Sequence, residues 1–165
     1  MAILIDKNKR ILIQGITGNI GSFQTKIMQK SGTNVVAGVT PGKAGKKVNG
    51  VPVYDFVSEA VEEQKVDAAI SFVPAKFAMD AAIEAIEAEI PFVVVTAENL
   101  PAQDAMQMIA HANRKSTLLL GPDTPGVVSP GKCKLGVHPE RMLKEGHVGI
   151  LSRSGALSYE ACKSL

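Results

Sequence analysis

Three regularly spaced glycines follow the first apolar segment of the chain and could bind a phosphate group. Residues Arg10–Gln14 predict a short strand, and Gly15, Gly18 and Gly21 occupy the loop and helix start that come next. The first glycine permits a tight turn, the second a close approach of a ligand, and the third close packing of the helix. Backbone N–H groups at the helix start would then face a phosphate or pyrophosphate. The alternative is an ordinary turn between a strand and a helix.

The second predicted strand, Asn34–Val39, indicates which nucleotide that loop would hold. It ends without the Asp or Glu that NAD sites use for the ribose hydroxyls, and Lys43 follows in a Thr-Pro-Gly-Lys string. Lys46 and Lys47 add two further cations. Positive charge here suits a ligand with an extra phosphate on the adenosine ribose, as in coenzyme A (CoA) or NADP. Solvated loop lysines are the alternative, especially for Lys46 and Lys47.

Composition excludes several classes of protein. The chain is 45% hydrophobic but only 4% aromatic, without Trp, which predicts an aliphatic core. A net charge of +2 without a basic stripe argues against nucleic acid as the main partner. No apolar run reaches the ~20 residues of a membrane span, and the N-terminus lacks a signal-peptide pattern. With only two isolated cysteines, Cys133 and Cys162, a cytoplasmic protein with reduced thiols is expected.

Strand and helix patterns alternate along the chain, which predicts a Rossmann-like parallel sheet with flanking helices. Further strands are predicted at 50–54 (a short edge piece), 68–73, 91–96 and 117–120, and further helices at 57–63, 77–88 and 101–113. Such sheets bind ligands at the carboxyl ends of their strands, near the point where the strand order reverses. We place that point between the first strand and the fourth, at 91–96. Thr96, Ala97, Glu98 and Asn99 then join the candidate site, with 73–75 at its rim; helix capping by Glu98 is the alternative.

Pro and Gly at 121–126 and 130–131 predict a rigid connection after the first domain. We expect a nucleotide-binding domain at 1–125 and a linker at 126–147. The last segment, 148–165, should contain one strand at 148–152 and one helix after it. Ser154 would cap that helix, and its Ser-Gly turn could hold a second anion; an ordinary cap is the alternative. One strand and one helix cannot bury a core, so we expect the truncated start of a second, flavodoxin-like α/β domain of a longer polypeptide.

Other reactive side chains point to no catalytic or metal site in this chain. His111, His138 and His147 have no metal-ligand spacing with one another or with the cysteines. A Cys133–His138 nucleophile pair is conceivable, but no third group orients it. The chain also lacks the G-x-x-x-x-G-K-[ST] string of an ATP-binding P-loop.

Several strings together resemble the α subunits of the succinate–CoA ligase (succinyl-CoA synthetase) family. They are ILIDKN at 3–8, QGITG at 14–18, GVTPGK at 38–43, GVPV at 50–53, GPDTPGV at 121–127 and SRSGALSYEA at 152–161. The resemblance covers essentially the whole chain, and the Thr-Pro-Gly-Lys and Ser-Arg-Ser-Gly strings are highly specific in combination.

The resemblance implies a role for particular residues. CoA would contact Thr17, Gly18, Asn19, Ile20, Lys43, Thr96, Ala97 and Glu98. Tyr159 would help to form the carboxylate site, and the helix that starts at Ser154 and Gly155 would face the phosphate of a phosphohistidine. That histidine belongs to the second half of the subunit, which this chain lacks, so the chain alone is expected to be inactive. A β subunit would supply Mg²⁺ and the ATP or GTP site, and the reaction would join succinate to CoA in the tricarboxylic acid cycle.

The sequence departs from the family pattern at three places, and related or different functions are alternatives. Asp123 replaces the usual Asn, the order of residues at 96–101 differs, and Asn19 and Ile20 replace more polar residues. Malate–CoA ligase, ADP-forming acetate–CoA ligase and ATP-citrate lyase look alike in this region. An NADP oxidoreductase and an NADP- or CoA-binding sensor module are alternatives from other classes; the first lacks an evident proton-transfer residue and the second a DNA-binding segment.

Overall fold

Seven strands form one sheet, and helices cover both of its faces. The computed structural model describes residues 4–164, so Ile3 of the string at 3–8 and Leu165 of the terminal segment lie outside the described residues. The strands of the sheet are β1 Arg10–Gln14, β2 Asn34–Val39, β3 Lys47–Val48, β4 Val51–Tyr54, β5 Ala68–Ser71, β6 Phe92–Val95 and β7 Leu118–Leu120. The helices around it are α1 Asn19–Lys30, α2 Val57–Glu63, α3 Ala75–Glu87 and α4 Ala102–Lys115. Among the described residues, no helix combines the length and the apolar character that crossing a membrane requires.

The strand order is β3-β4-β2-β1-β5-β6-β7, and every neighbouring pair is parallel except β3 and β4. Helices connect β1 to β2, β5 to β6 and β6 to β7, as is usual between parallel strands, whereas the chain from β2 to β4 passes through β3. The predicted Rossmann-like parallel sheet with flanking helices is therefore confirmed.

The order of strands reverses between β1 and β5, which corrects the expected place of the switch point. We expected β6 beside β1, but β5 lies between them. The error came from treating 50–54 as an edge piece outside the strand count. Because β4 pairs in parallel with β2, it completes the first half of the sheet, and the second half begins at β5. The segment that follows β5, at 72–74, thus lies directly beside the glycine loop rather than at a distant rim.

Residues of the central strands alternate between two buried clusters, one on each face of the sheet. Leu12 of β1 packs with α2, α3 and α4, which contribute small residues such as Ala60, Ala82 and Ala112. Ile11 and Ile13 point to the other face, which α1 covers. Burial on both faces explains why these strands read as nearly continuous apolar runs in the sequence.

A β-hairpin occupies much of the segment 126–147 that we expected to be a linker. Strands β8 Gly126–Ser129 and β9 Cys133–Gly136 pair antiparallel. The Lys132 N–H donates to the Ser129 carbonyl at 3.0 Å, and Gly131 has φ +70°, so the Pro-Gly pair forms the turn between the strands. Cys133 and Leu135 are buried in the same cluster as Ile11 and Ile13. The hairpin therefore packs onto the α1 face of the sheet.

The strand predicted at 148–152 is wrong, whereas the helix after it is present. A strand requires a neighbour for its N–H and C=O groups, and neither sheet of the described chain pairs with these residues. Val148 is 70% exposed and Leu151 98% exposed. A short 3₁₀ turn at Glu140–Met142 precedes this segment, and α5 Gly155–Ser164 follows it.

Candidate functional site

The register of the sheet aligns four loops along one edge. Gln14, the last residue of β1, is opposite Val39 of β2 and Ser71 of β5, and Ser71 is opposite Val95 of β6. All four strands are parallel, so the loops that follow them, at 15–18, 40–43, 72–74 and 96–98, begin side by side. We call this the carboxyl edge of the sheet. It collects the predicted CoA-contacting segments in one place.

Two of the three glycines in the β1–α1 loop have the predicted conformational roles. Gly15 has φ +76°, and its N–H donates to the Val39 carbonyl at 2.8 Å. A Cβ on Gly21 would lie 2.1 Å from the Gly15 carbonyl oxygen, so only glycine allows α1 to approach this closely. Gly38 of β2 has a similar role that sequence analysis missed, since a Cβ there would lie 2.4 Å from Ile16 Cδ1. An isolated glycine inside a strand was the available signal.

The start of α1 offers backbone donors that no side chain of the helix occupies. Gly18 is the N-cap residue, it has no side chain to cap the helix, and the first turn contains no acidic residue. The Thr17 N–H lies 3.4 Å from Thr40 Oγ1, and the Gly18 N–H donates to the Gly15 carbonyl at 3.1 Å. The N–H groups of Asn19 and Ile20 have no intrahelical acceptor, as in any first turn. With the helix dipole behind them, they form a site suited to an anion.

The Thr-Pro-Gly-Lys string forms a rigid turn next to that helix start. The Lys43 N–H donates to the Thr40 carbonyl at 3.1 Å, and Gly42 has φ +72°, a combination that fits a type II turn. Asp55 Oδ1 also accepts from the N–H groups of Lys43, at 2.8 Å, and Ala44, at 2.9 Å. The Lys43 side chain is exposed and takes part in none of the ion pairs between described residues. Its ammonium group is thus free to meet a ligand phosphate.

Lys46 and Lys47 lie just before and in the short strand β3. Both are exposed, and Lys47 belongs to β3, the outermost strand on this side of the sheet. Asp55, which holds the turn, was missed in the sequence because its partners lie eleven and twelve residues away. An acidic residue directly after a strand was the only signal.

The segment after β6 is held by hydrogen bonds to its neighbours. Thr96 Oγ1 donates to the Ser71 carbonyl at 2.7 Å, and the Ala97 carbonyl accepts from the Asp123 N–H at 2.9 Å. Glu98 is exposed. Pro101 is the N-cap residue of helix α4, and no side-chain hydrogen bond caps this helix. The alternative that Glu98 caps α4 is therefore not observed. The Glu98 carboxylate is therefore available at the carboxyl edge.

Asp123 lies against the same segment. It has φ +57°, and its N–H donates to the Ala97 carbonyl. A Cβ on Gly121 would lie 2.3 Å from the Val95 carbonyl oxygen, so the chain after β7 passes directly over the end of β6. One departure from the expected string, Asp123, thus lies beside Thr96–Glu98 of the candidate site.

Comparison with known proteins identifies the family. Residues 6–99 match the CoA-binding domain family. The chain belongs to this family. It is 48% identical over 165 residues to succinate–CoA ligase [ADP-forming] subunit alpha 1 of Archaeoglobus fulgidus, covering all of this chain and 57% of the relative. It is 49% identical over 163 residues to the corresponding alpha subunit of Methanothermobacter thermautotrophicus, covering 99% and 55% of the two chains.

Solved structures show the same fold at lower identity. ATP citrate lyase from Methanothrix soehngenii, solved with citrate and coenzyme A, matches with a TM-score of 0.81 and 24% identity, over 98% of this chain and 29% of that one. PH0766 from Pyrococcus horikoshii matches with a TM-score of 0.79 and 20% identity, over 96% and 38%. The chain spans only 55 to 57% of the length of the two succinate–CoA ligase alpha subunits. The match to the CoA-binding domain family does not favour the alternatives in which the chain binds NADP.

The predicted substrate residues of this CoA-binding domain protein lie at the start of α5 (Ser154 and Gly155) and one turn further along it (Tyr159). Ser154 Oγ accepts from the Leu157 N–H at 3.3 Å, which is the expected cap. A Cβ on Gly155 would lie 3.4 Å from Pro125 Cδ. The Tyr159 ring meets the ring of His138 edge-on, with centroids 5.3 Å apart. Burial lowers the pKa of His138, and a hydrogen bond with the Gly126 backbone opposes this effect.

A buried polar group beneath the carboxyl edge escaped sequence analysis. Gln14 is 2% exposed, and its Nε2 donates to the Ala81 carbonyl at 2.7 Å, with Glu84 Oε2 at 3.4 Å. Glu84 Oε1 accepts from the Val57 N–H at the start of α2, at 2.8 Å. These contacts tie α2 and α3 to the end of β1. A glutamine inside an otherwise apolar strand was the sequence signal.

Lys76 and Phe77 are also at the carboxyl edge and were also missed. They lie in the first turn of α3, directly after the segment that follows β5. Both side chains are exposed, and Lys76 Nζ lies 4.6 Å from the centroid of the Phe77 ring. A Cβ on Gly15 would lie 3.1 Å from Val73 Cγ1, so the segment that leads into this pair lies against the glycine loop of the CoA-binding domain.

Proposed function

We propose that this chain is the CoA-binding portion of the α subunit of a succinate–CoA ligase. The complete enzyme would interconvert succinate, CoA and a nucleoside triphosphate with succinyl-CoA, a nucleoside diphosphate and phosphate. The observation that carries the proposal is the uncapped start of α1 beside the Lys43 turn, in a chain of the CoA-binding domain family. The alpha-subunit names of its relatives support the choice of ligase.

The fit of CoA to this edge rests on matched charge. The α1 start has no capping side chain and no acidic residue in its first turn, so a diphosphate would meet the Asn19 and Ile20 N–H groups without repulsion. Lys43, fixed by its turn and by Asp55, would bind the phosphate on the adenosine ribose. An exposed carboxylate would repel phosphates, so Glu98 is suited instead to an amide or hydroxyl of the pantetheine arm.

The residues of α5 would serve the other substrates. Ser154 Oγ accepts a hydrogen bond from the Leu157 N–H. The N–H groups of Gly155 and Ala156 have no intrahelical acceptor and could face a phosphate. Tyr159 would line the carboxylate site, with its ring positioned by His138. In the complete enzyme, a phosphorylated histidine outside this chain would carry the phosphoryl group. A β subunit would supply Mg²⁺ and ATP or GTP, and the ADP-forming relatives favour ATP.

Calorimetric titration of this chain with CoA, dephospho-CoA, NADP and NAD tests the proposal. We expect CoA to bind most tightly and dephospho-CoA more weakly. Lys43→Ala should weaken CoA binding by about 1 kcal/mol, the low end for a charge-assisted contact because this lysine is exposed, and should affect dephospho-CoA less.

Lys132→Ala is the matched control for the lysine variant. Lys132 ends a Ser-Pro-Gly-Lys turn of the same shape in the β8–β9 hairpin, but its ammonium pairs with Glu145 at 3.1 Å. It should leave CoA affinity unchanged. Equal affinity for NADP and CoA, or no CoA binding at all, would refute the proposed function.

A further inference from the structure

An exposed cation on the β5 side of the switch point has no assigned role. Lys76 lies in the first turn of α3, and Phe77, beside it, is 52% exposed. Side chains of a helix lean toward its N-terminus. The N-terminus of α3 is at the carboxyl edge of the sheet, so both side chains lean toward the edge that carries the glycine loop.

The chain that leads into α3 lies against that loop. A Cβ on Gly15 would be 3.1 Å from Val73 Cγ1 and 3.2 Å from the Phe72 carbonyl oxygen. Lys76 follows Val73 by three residues, within reach of a ligand that lies over the loop. Lys43 is on the opposite flank, after β2. The start of α1 therefore lies between two lysines: Lys43 in the turn after β2 and Lys76 in the first turn of α3, after β5.

The charge of Lys76 is not neutralised by a carboxylate within the described chain. It takes part in none of the ion pairs between described residues, although Asp80 lies one helical turn further along. Its Nζ lies over the face of the Phe77 ring, 4.6 Å from the ring centroid. A cation over an aromatic face keeps its N–H donors available for a second partner.

We propose that Lys76 is a second phosphate-binding residue of the CoA site and contacts the diphosphate, and that Phe77 is a positioning residue for its ammonium group. The inference rests on the proposed CoA binding. In folds of this type the diphosphate lies at the α1 start and the adenosine ribose lies toward β2. Lys43 is on the ribose side, whereas Lys76 is on the far side of the diphosphate. The two lysines therefore divide the phosphates of the ligand between them.

Titration of two lysine variants with two ligands separates these assignments. Lys76→Ala should weaken binding of CoA and of dephospho-CoA by the same factor, about three- to tenfold at low salt, and the loss should shrink as salt rises. Lys43→Ala should weaken CoA more than dephospho-CoA. Lys76→Arg should retain most of the affinity, and Phe77→Leu should weaken both ligands less than Lys76→Ala does.

Lys65→Ala is the control, because it removes the same charge from the opposite edge of the sheet, beside Asp67. An equal loss of CoA affinity in Lys65→Ala would show that the effect comes from net charge alone and would overturn the proposal. Unchanged CoA affinity in Lys76→Ala would overturn it as well. A loss for CoA alone would place Lys76 on the ribose phosphate instead and reject the diphosphate assignment. If the unmodified chain fails to bind CoA, the proposed function itself fails. Lys76 is exposed, so its variants should unfold at the same urea concentration as the parent.

Discussion

The helices α1 and α5 begin in loops of similar small residues but treat their first N–H groups differently. At α1, Gly18 provides no side-chain cap and no acidic residue follows in the first turn. At α5, Ser154 Oγ accepts from the Leu157 N–H, and Ser158 Oγ donates to the Gly155 carbonyl at 2.6 Å. A serine cap satisfies one N–H group of a helix start, so the uncapped start of α1 has more donors left for an anion than the start of α5 does.

The segments before the two helices differ as well. β1 is buried on both faces, with Ile11, Leu12 and Ile13 at 0% exposure. The residues before α5 form no strand, and Leu151 is almost fully exposed. The loop before α1 is consequently fixed at one end by the centre of the sheet. Of these two helices, α1 alone combines an uncapped start with a preceding strand that is buried on both faces. For this reason we propose the start of α1, rather than that of α5, for the CoA phosphates.

The largest effect is expected from a methyl group at Gly21. Gly21→Ala should cost about 3 kcal/mol of unfolding free energy, because the new Cβ would collide with the Gly15 backbone and force α1 away from β1. Gly155→Ala is the matched change at α5, where the new Cβ would make an ordinary contact with Pro125. It should change stability by less than ~0.5 kcal/mol. Urea unfolding of both variants measures the difference, and equal losses would contradict the close packing at α1.

A larger side chain at Gly18 should weaken CoA binding strongly while the chain still folds. Gly18 has φ −70° and ψ 160°, which valine adopts readily. Gly18→Val would place its methyl groups near the Asn19 and Ile20 N–H groups and should cost about 2 kcal/mol of binding energy, roughly 30-fold in affinity. Gly18→Ala should have a smaller effect in the same titration. Parent-like CoA affinity of the valine variant, with its fold verified by circular dichroism, would refute phosphate binding at the α1 start.

These two regions also show what could be predicted from the sequence. The parallel sheet, the glycine loop and the Lys43 turn could be predicted from short stretches of sequence. Strands buried on two faces are continuous apolar runs, and tight turns are rich in Pro and Gly. The strand at 148–152 was wrong because an apolar run becomes a strand only beside a partner, and the described chain provides none. The hairpin was taken for a linker because its Pro130–Gly131 turn has the composition of one.

Contacts between distant residues account for the remaining misses. The Asp55 bonds to the Lys43 turn and the Gln14–Glu84 contact under the carboxyl edge join separate elements. The Ser-Pro-Gly-Lys turn at 129–132 gives the clearest limit. It repeats the pattern of the Thr-Pro-Gly-Lys turn, yet its lysine is paired with Glu145. The four-residue pattern alone therefore does not distinguish the exposed Lys43, which is in no ion pair between described residues, from the paired Lys132.

A smaller effect is expected from removing the α5 cap. Ser154→Ala should destabilise the start of α5 by about 1 kcal/mol, the usual value for a serine N-cap. Amide exchange should accelerate within α5, while β1 and β6 keep their protection. In the parent chain, residues 148–164 should already exchange fastest, because Val148, Leu151 and Leu157 are exposed. Protection of α5 equal to that of β1 in a monomeric sample would contradict this ranking.

The smallest expected effect is a pH dependence at the α5 junction. Burial lowers the pKa of His138 below its ordinary value of 6.5, so its ring is protonated less readily in the folded chain than in the unfolded one. The unfolded state therefore binds more protons, and stability falls as the pH drops below about 6.5. Urea unfolding at pH 7.5 and 5.5 should show a smaller acid loss in His138→Gln than in the parent. His147→Gln, at an exposed position, should behave like the parent. A His138 pKa at or above 6.5 by NMR would contradict the lowering by burial.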